Sequence, residues 1–185
     1  MPSKKDLRHD LLHKRMALSE TEKSDAARLI AQNIEQSPDL FRGKRVAVYH
    51  PIKDEVGIQP LLTLLEPLAA SLALPSVEAD GRMVFKGWDG LRTEPDAKGI
   101  ATGTGDAFEP EVVFVPMLAF NRTCHRLGYG AGFYDKTLAL LPAVRTIGLA
   151  YSWQETPNLP VEPHDVALNE IWTEKERIYA PQERQ

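Results

Sequence analysis

The chain has 185 residues, of which 43% are hydrophobic and 26% are charged, and these fractions are typical of one globular domain covering residues 1–185. The formal net charge of −4 argues against a protein that binds duplex nucleic acid, because such domains are usually basic. A single cysteine excludes an internal disulfide framework and a cysteine-based zinc site. The sequence also shows no membrane-spanning apolar run and no secretory signal, so we predict a soluble cytoplasmic protein.

Two helices are predicted within residues 3–36. Ser3 can cap the first helix, in which apolar residues recur at near-helical spacing. The second helix begins at Ser19, which is placed to form a capping box with Glu22. We expect both helices to pack on an α/β sheet formed by residues 44–180.

The rest of the chain alternates between strands and helices. Short apolar or β-branched runs predict strands over residues 44–50, 72–74, 83–88, 111–116, 145–151 and 166–172. Helices are predicted over residues 58–70 and 133–141, and long loops over residues 89–111 and 152–164. This alternation predicts a single three-layer α/β/α domain with a mostly parallel sheet and Rossmann-like topology, which binds ligands at the carboxyl ends of its strands.

The segment from Arg126 to Asp135, RLGYGAGFYD, carries the densest pattern of chemically useful residues. It follows the predicted strand 111–116 and opens the predicted helix 133–141. Its alternating glycines permit positive φ angles and close approach of a ligand to backbone amides. Arg126 adds a cation suited to phosphate, and Asp135 is placed to hold Mg²⁺ beside it. The pattern favours an anion site, although a tight connection between a strand and a helix would also use glycines.

Other charged side chains are weaker candidates when taken singly. Lys4 and Arg8 are four residues apart and share one face of the first helix. They suit an anionic partner, or else they form a solvated basic face. Glu55 and Asp165 are loop carboxylates, which by default lie on the surface. The histidines show no spacing typical of a metal site.

Residues 115–141, VPMLAFNRTCHRLGYGAGFYDKTLALL, resemble the characteristic motif of the 5-formyltetrahydrofolate cyclo-ligases, also called 5,10-methenyltetrahydrofolate synthetases. The family pattern Arg-Leu-Gly-Tyr-Gly-x-Gly-aromatic-Tyr-Asp matches throughout residues 126–135. Further family motifs follow the family's order along nearly the whole chain, and they fall on Lys4 with Arg8, Arg15, Glu55, Phe85 with Trp88, and Asp165.

Three positions beside these motifs depart from the family pattern. Asn121 stands where an aspartate is usual, and Cys124 stands where a glycine is usual in the turn before Arg126. Gly57 stands where an aspartate commonly follows the motif of Glu55. None of these departures removes a residue to which the resemblance assigns a catalytic role.

The resemblance implies conversion of 5-formyltetrahydrofolate to 5,10-methenyltetrahydrofolate with ATP and Mg²⁺, through a phosphorylated formyl group and with release of ADP and phosphate. It implies that Arg126 is catalytic and that Asp135 and Asp165 hold Mg²⁺. The ATP-binding residues that it implies are Lys4, Arg8, Arg126, Leu127, Gly128, Tyr129, Gly130, Ala131, Gly132, Phe133 and Tyr134. The folate-binding residues that it implies are His50, Glu55, Tyr129, Gly130 and Phe133, with the Glu55 carboxylate accepting N–H groups of the pterin.

Two alternatives remain open at the level of sequence. The departures near Arg126 are compatible with a folate- or nucleotide-binding protein of the same fold that is catalytically weak or silent. A different phosphate-handling enzyme, such as a sugar-phosphate isomerase, would use a similar sheet without needing Lys4, Arg8 or Asp135. For the cyclo-ligase we expect small-molecule partners only, with no nucleic acid or membrane partner, and a monomer.

Overall fold

The computed structural model describes residues 3–181. Its α-helices are α1 (Lys4–Met16), α2 (Glu20–Gln36), α3 (Gln59–Leu65) and α4 (Phe133–Ala139). The first two helices each begin with a capping box, formed by Ser3 with Asp6 and by Ser19 with Glu22, so the predicted starts of both helices are confirmed. The helices in this range lack the length and the apolar character that crossing a lipid bilayer requires.

A seven-stranded sheet forms the centre of the protein. The strands of the described residues are, in chain order, β1 (Arg45–Ala47), β2 (Ser71–Val77), β3 (Met83–Trp88), β4 (Thr93–Pro95), β5 (Ala101–Gly103), β6 (Val112–Pro116), β7 (Ala119–Phe120), β8 (Arg126–Leu127), β9 (Arg145–Leu149), β10 (Glu170–Trp172) and β11 (Arg177–Tyr179). Of these, β4 with β5 and β7 with β8 form separate two-stranded sheets. The central sheet has the order β11-β10-β9-β6-β1-β2-β3. Only its edge strands β3 and β11 run antiparallel to their neighbours, which confirms the predicted mostly parallel α/β fold.

Helices cover both faces of the sheet because its inner strands are apolar on both sides. Along β6, Phe114 belongs to one buried cluster together with Ile30 of α2 and Leu61 of α3. Its neighbour Val113 belongs to a second buried cluster together with Leu138 of α4. Successive strand side chains point to opposite faces, so this division separates the two helical layers from the sheet between them.

The direction of the chain through the sheet reverses at β1. From β1 the chain proceeds to β2 and β3 on one side, and it then returns to place β6, β9 and β10 on the other side. Strands β1 and β6 are parallel neighbours, with Val46 opposite Val112. The crevice outside the carboxyl ends of β1 and β6 is therefore the switch point at which open α/β sheets bind ligands.

The prediction of a long loop over residues 89–111 is wrong, because this segment contains the hairpin β4–β5. The side chain of Asp96 organises the turn by accepting backbone N–H groups of Val77, Lys98 and Ile100 at 2.8–2.9 Å. Strand propensity is low in a segment this rich in Gly, Asp and Pro, so its pairing depends on these contacts.

Several other boundaries also differ from the prediction. Helix α3 ends at Leu65, before Pro67, where proline would break the helical hydrogen bonds. The strand predicted over residues 72–74 extends to Val77 as β2, since residues 72–77 all pair with β3. The predicted strand 166–172 begins only at Glu170, and β11 beside it was not predicted.

Candidate active site

A cavity of about 250 Å³ lies at the switch point, with Tyr49 and His50 after β1 and Pro116 at the end of β6 in its wall. Other parts of the wall come from α1, from the segment that connects β8 to α4, and from the loop before β10. The residues that the sequence singled out for ATP, folate and Mg²⁺ all lie along this cavity: Lys4, Arg8, His50, Glu55, Arg126, Leu127, Gly128, Tyr129, Gly130, Ala131, Gly132, Phe133, Tyr134, Asp135 and Asp165. Their individual roles stay predictions.

The glycine-rich segment is clamped against α1. Its first two residues form β8, so the hairpin β7–β8 separates its glycines from the strand 111–116, which corrects the predicted position. Gly130 and Gly132 have φ angles of 104° and 68°, a region that favours glycine. Arg8 donates from Nε to the Gly128 carbonyl at 2.8 Å, and a Cβ on Gly130 would lie only 3.2 Å from Cζ of Arg8. Glycine at this position therefore leaves the room that the arginine occupies.

Arg126, the first residue of the segment, is buried, with 4% of its side chain exposed. It donates to the Val166 carbonyl at 2.9 Å and to Oδ1 of Asp135 at 3.0 Å. The same Asp135 oxygen accepts the Val166 N–H at 3.0 Å. A guanidinium has five N–H groups, so Arg126 keeps further donors for an anion in the cavity. Burial lowers the pKa of Arg126, and the charge of Asp135 opposes this effect.

A second group of charges joins α1 to the loop before β10. Nζ of Lys4 lies 2.9 Å from Oε2 of Glu162 and 3.0 Å from Oδ2 of Asp165. Ligand atoms of Glu162, His164 and Asp165 lie within 4.8 Å of one another and are able to hold a metal ion. Among the described residues, Asp135 belongs to no such group, and its carboxylate forms an ion pair with Arg126.

Glu55 supplies a buried carboxylate to the same cavity, with 6% of the residue exposed. Its Oε2 accepts the Ile52 N–H at 3.0 Å. Burial raises the pKa of Glu55 to about 7, although the Ile52 N–H, Arg15 and Tyr129 act in the opposite direction. A carboxyl group with this pKa changes its ionisation easily when a hydrogen-bonding ligand enters.

The loop that carries Glu55 has an unusual backbone. Lys53 and Asp54 both have left-handed φ angles, 48° and 59°, which are costly for residues other than glycine. Side chains hold the loop in this shape: Lys23 contacts Oδ1 of Asp54 at 2.8 Å, and Arg15 donates to the Lys53 carbonyl at 2.8 Å. The fold therefore imposes the conformation that presents Glu55 to the cavity.

Residues 1–174 match the family model described as the 5-formyltetrahydrofolate cyclo-ligase family. The chain belongs to this family. A curated 5-formyltetrahydrofolate cyclo-ligase from Mycolicibacterium smegmatis is 32% identical over an alignment of 194 residue positions, which covers 96% of this chain and 97% of the relative. The match confirms the resemblance that the motifs indicated.

Solved structures of cyclo-ligases, under the name 5,10-methenyltetrahydrofolate synthetase, share this fold. The NMR structure of the Aquifex aeolicus protein has a TM-score of 0.83 at 31% identity and covers 98% of this chain and 95% of its own. The Mycoplasma pneumoniae structure has a TM-score of 0.76 at 30% identity and covers 94% of this chain and 99% of its own. The chain is therefore an enzyme of the cyclo-ligase type, and the sugar-phosphate isomerase alternative is set aside.

The structure accounts for two departures from the cyclo-ligase pattern. Oδ1 of Asn121 accepts the Thr123 N–H, the Thr123 hydroxyl and the His125 N–H at 2.8–3.1 Å, as an aspartate oxygen would. Cys124 has a φ angle of 59°, which explains why glycine is usual there in the family. The buried Cys124 thiol joins the core, so the turn before Arg126 is formed with both substitutions.

Sequence reasoning gave no role in the cyclo-ligase site to three ionisable residues that the structure places there, although a family motif falls on one of them, Arg15. Glu162 and His164 line the cavity beside Asp165, and their closeness in sequence to that residue was the available signal. Arg15 contacts the site from the end of α1, where it is 1% exposed. Arginine side chains are mostly exposed in proteins, so the residue type by itself did not indicate that this arginine is buried.

Proposed function

We propose that the protein converts 5-formyltetrahydrofolate to 5,10-methenyltetrahydrofolate in a reaction that consumes ATP, requires Mg²⁺ and releases ADP and phosphate. The observation that carries the proposal is the convergence of Lys4, Arg8, residues 126–135 and Glu55 on one cavity. Cations and backbone amides suit the phosphates of a nucleotide, whereas a buried carboxylate suits a heterocycle with N–H groups. The curated relatives are named for the folate reaction.

The phosphates of ATP are assigned to the cavity wall formed by α1 and the glycine-rich segment. Arg8 uses Nε to bind Gly128, and its remaining N–H groups are available to an anion. Successive amides of residues 128–132 supply further donors. Lys4 adds a compact point charge on a flexible side chain, which suits a phosphate.

The folate is assigned to Glu55 and the aromatic side chains around it. An ionised Glu55 accepts N–H groups of the pterin edge, while Tyr129, Phe133 and His50 form walls. Tyr134, which is predicted to contact ATP, also lies in the cavity wall, and burial raises the pKa of its hydroxyl. Its ring lies 6.0 Å from Cζ of Arg126, so it helps to hold that arginine.

The reaction requires the formyl oxygen to become a leaving group. In the proposed sequence this oxygen attacks the γ-phosphate of ATP, which releases ADP and leaves a phosphorylated iminium. The nitrogen at position 10 then attacks the former formyl carbon and loses its proton, and the C–O bond breaks so that phosphate leaves. Phosphoryl transfer depends on positioning and charge stabilisation, so the free N–H donors of Arg126 are assigned to the oxygens of the transferring group.

Mg²⁺ is assigned to the carboxylates near Lys4. Oxygen ligands are those that Mg²⁺ prefers, and Glu162 and Asp165 bring two carboxylates together. Lys4 contacts both of them, so a phosphate that attracts Lys4 would free these oxygens for the ion. Asp135 stays in the proposed set, although Arg126 competes for its charge. When bound, the ion supplies charge neutralisation to the phosphate oxygens.

The direct test is to mix the purified protein with 5-formyltetrahydrofolate, ATP and Mg²⁺ and to follow the methenyl product by its near-ultraviolet absorbance. We expect product that depends on all three components, with ADP and phosphate released in equal amounts. Folate binding without product would support the catalytically silent alternative instead. Absence of folate binding would contradict the proposed function altogether.

The other properties expected of the protein belong to the same proposal. We propose a cytoplasmic monomer that acts on small molecules and has no nucleic acid or membrane partner. The net charge of −4 supports the absence of a nucleic acid partner. Light scattering behind a sizing column would contradict the monomer if the mass in solution were a multiple of 20.7 kDa.

A further inference from the structure

Arg15 is a buried charge that the proposed reaction does not use. It lies in the last turn of α1 and is 1% exposed, whereas the neighbouring Met16 is 58% exposed. Its partners are backbone carbonyls and a hydroxyl group. Burying a guanidinium is costly unless several hydrogen bonds compensate for its lost hydration. An arginine at this position therefore needs an explanation beyond core packing.

The hydrogen bonds of Arg15 join three separate segments of the site. Nε donates to the Lys53 carbonyl at 2.8 Å, in the loop that presents Glu55. One terminal nitrogen donates to the Met117 carbonyl at 3.0 Å, just after β6. The other donates to the hydroxyl of Tyr129, in the glycine-rich segment. A guanidinium holds its donors in a rigid plane, so these bonds fix the three segments relative to one another.

Arg15 also acts on Glu55 through its charge. Burial raises the pKa of Glu55 to about 7, and the charge of Arg15 is among the effects that oppose this rise. The charged and titratable groups that face Glu55 come from α1, from its own loop and the end of β1, and from the glycine-rich segment. They are Arg15, Lys53, Tyr49, Tyr129 and Tyr134.

We propose that Arg15 is a positioning residue for folate binding, which fixes the Tyr129 hydroxyl and the loop of Glu55 in the arrangement that holds the pterin. The inference rests on the proposed function, because it needs folate to occupy the wall formed by these two residues. Arg15 acts through Glu55 and Tyr129 and makes no contact with the reacting atoms. Its loss should therefore affect folate binding more than ATP binding or turnover at saturation.

The test compares Arg15→Met with Arg15→Lys. For Arg15→Met we expect the half-saturating concentration of 5-formyltetrahydrofolate to rise about tenfold or more, as for loss of hydrogen bonds to a charged group. The half-saturating concentration of ATP should change little. Arg28→Met is the matched control, because Arg28 is an exposed arginine on α2 and its loss should leave both values unchanged.

The pH dependence of folate binding separates a positioning role from a merely structural one. Without the charge of Arg15, the pH at which folate affinity reaches half its maximum should shift upward. Arg15→Lys keeps the charge but loses the rigid fork, so its midpoint should stay near that of the wild type while its affinity is only partly restored. Equal losses of folate and ATP affinity with an unchanged midpoint would overturn the proposal.

A second variant keeps the proposal testable if Arg15→Met fails to fold. Tyr129→Phe removes only the hydroxyl that Arg15 holds, and it should weaken binding of 5-formyltetrahydrofolate, measured by calorimetry without ATP. Unchanged folate binding in Tyr129→Phe would then overturn the role of Arg15 while wild-type turnover still supported the proposed function. A wild-type protein that neither binds nor converts the folate would overturn both.

Discussion

Nζ of Lys4 lies 3.0 Å from Oδ2 of Asp165, a residue 161 positions further along the chain. The contact ties the first turn of α1 to the loop before β10, and Glu162 shares the same ammonium group. Sequence resemblance assigns Lys4 to ATP phosphates and Asp165 to Mg²⁺. In this structure the two groups neutralise each other. ATP that binds Lys4 should therefore free Asp165 for Mg²⁺, and Mg²⁺ that binds Asp165 should free Lys4 for ATP.

The first prediction concerns Lys4. Lys4→Ala should raise the half-saturating ATP concentration about tenfold or more, because a hydrogen bond from a cation to phosphate is lost. Binding of the folate should change little, since Lys4 contacts Glu162 and Asp165 rather than Glu55. Steady-state kinetics with Lys5→Ala as an exposed neighbouring control measures the effect. Unchanged ATP dependence in Lys4→Ala would contradict its assignment to ATP and would support the alternative that Lys4 belongs to a solvated basic face.

The second prediction concerns Arg126. Arg126→Ala should lower turnover by about 100-fold or more, the scale of losing one preorganised donor to a transition state. The variant should be destabilised but still fold: leaving the Asp135 carboxylate without its cation costs about 3–5 kcal/mol, against a typical stability of about 5–15 kcal/mol. Arg122→Ala is the control, because Arg122 is exposed and pairs with Glu155 and Glu176 outside the cavity. Near-normal turnover in Arg126→Ala would show that its assigned catalytic role is wrong.

The third prediction follows from the pKa of Glu55, which is raised from 4.5 to about 7 in the folded protein. The folded state holds this proton more tightly than the unfolded state, so the stability that Glu55 contributes is present below about pH 4.5 and is lost as the pH rises through about 7. The affinity for folate depends on pH in the opposite direction, because the pterin needs an ionised carboxylate.

Affinity for 5-formyltetrahydrofolate should therefore rise between about pH 6 and about pH 8, where a carboxyl group of this pKa loses its proton. Calorimetric titration of the protein across this range measures the rise. Glu55→Gln cannot ionise, so it should bind the folate weakly and without this pH dependence. A rise of the same size in Glu55→Gln would rule out Glu55 as its source.

The fourth prediction concerns Gly130, whose φ angle is 104° and whose added Cβ would meet Arg8 at 3.2 Å. Gly130→Ala should cost about 1–3 kcal/mol of stability through backbone strain and should raise the half-saturating ATP concentration by displacing Arg8. Gly43→Ala separates the two effects, because Gly43 also has a positive φ angle but open space around it. Chemical denaturation should show a loss in both variants. ATP dependence should change only in Gly130→Ala, and an unchanged value there would contradict the role of Arg8.

Some of the fold could be predicted because the deciding interactions are local. The capping boxes of Ser3 and Ser19 each lie within a single turn, and the apolar run of β6 is typical of a strand covered on both faces. The hairpin β4–β5 could not be predicted, because its turn depends on Asp96, which also contacts Val77 in another strand. The ends of several strands were predicted wrongly for the same reason, since the length of a strand depends on the neighbouring strand.

The candidate site shows the same division between local and distant interactions. The family and the glycine-rich segment could be recognised from the sequence, because short motifs in a fixed order carry them. The same motifs predicted which residues bind phosphate, pterin and Mg²⁺. The pairing of Lys4 with Asp165, the pairing of Arg126 with Asp135 and the burial of Arg15 could not be predicted and are seen only in the folded protein. These contacts join residues that are separated along the chain, and their geometry and burial arise only when the sheet, α1 and the loops have packed together.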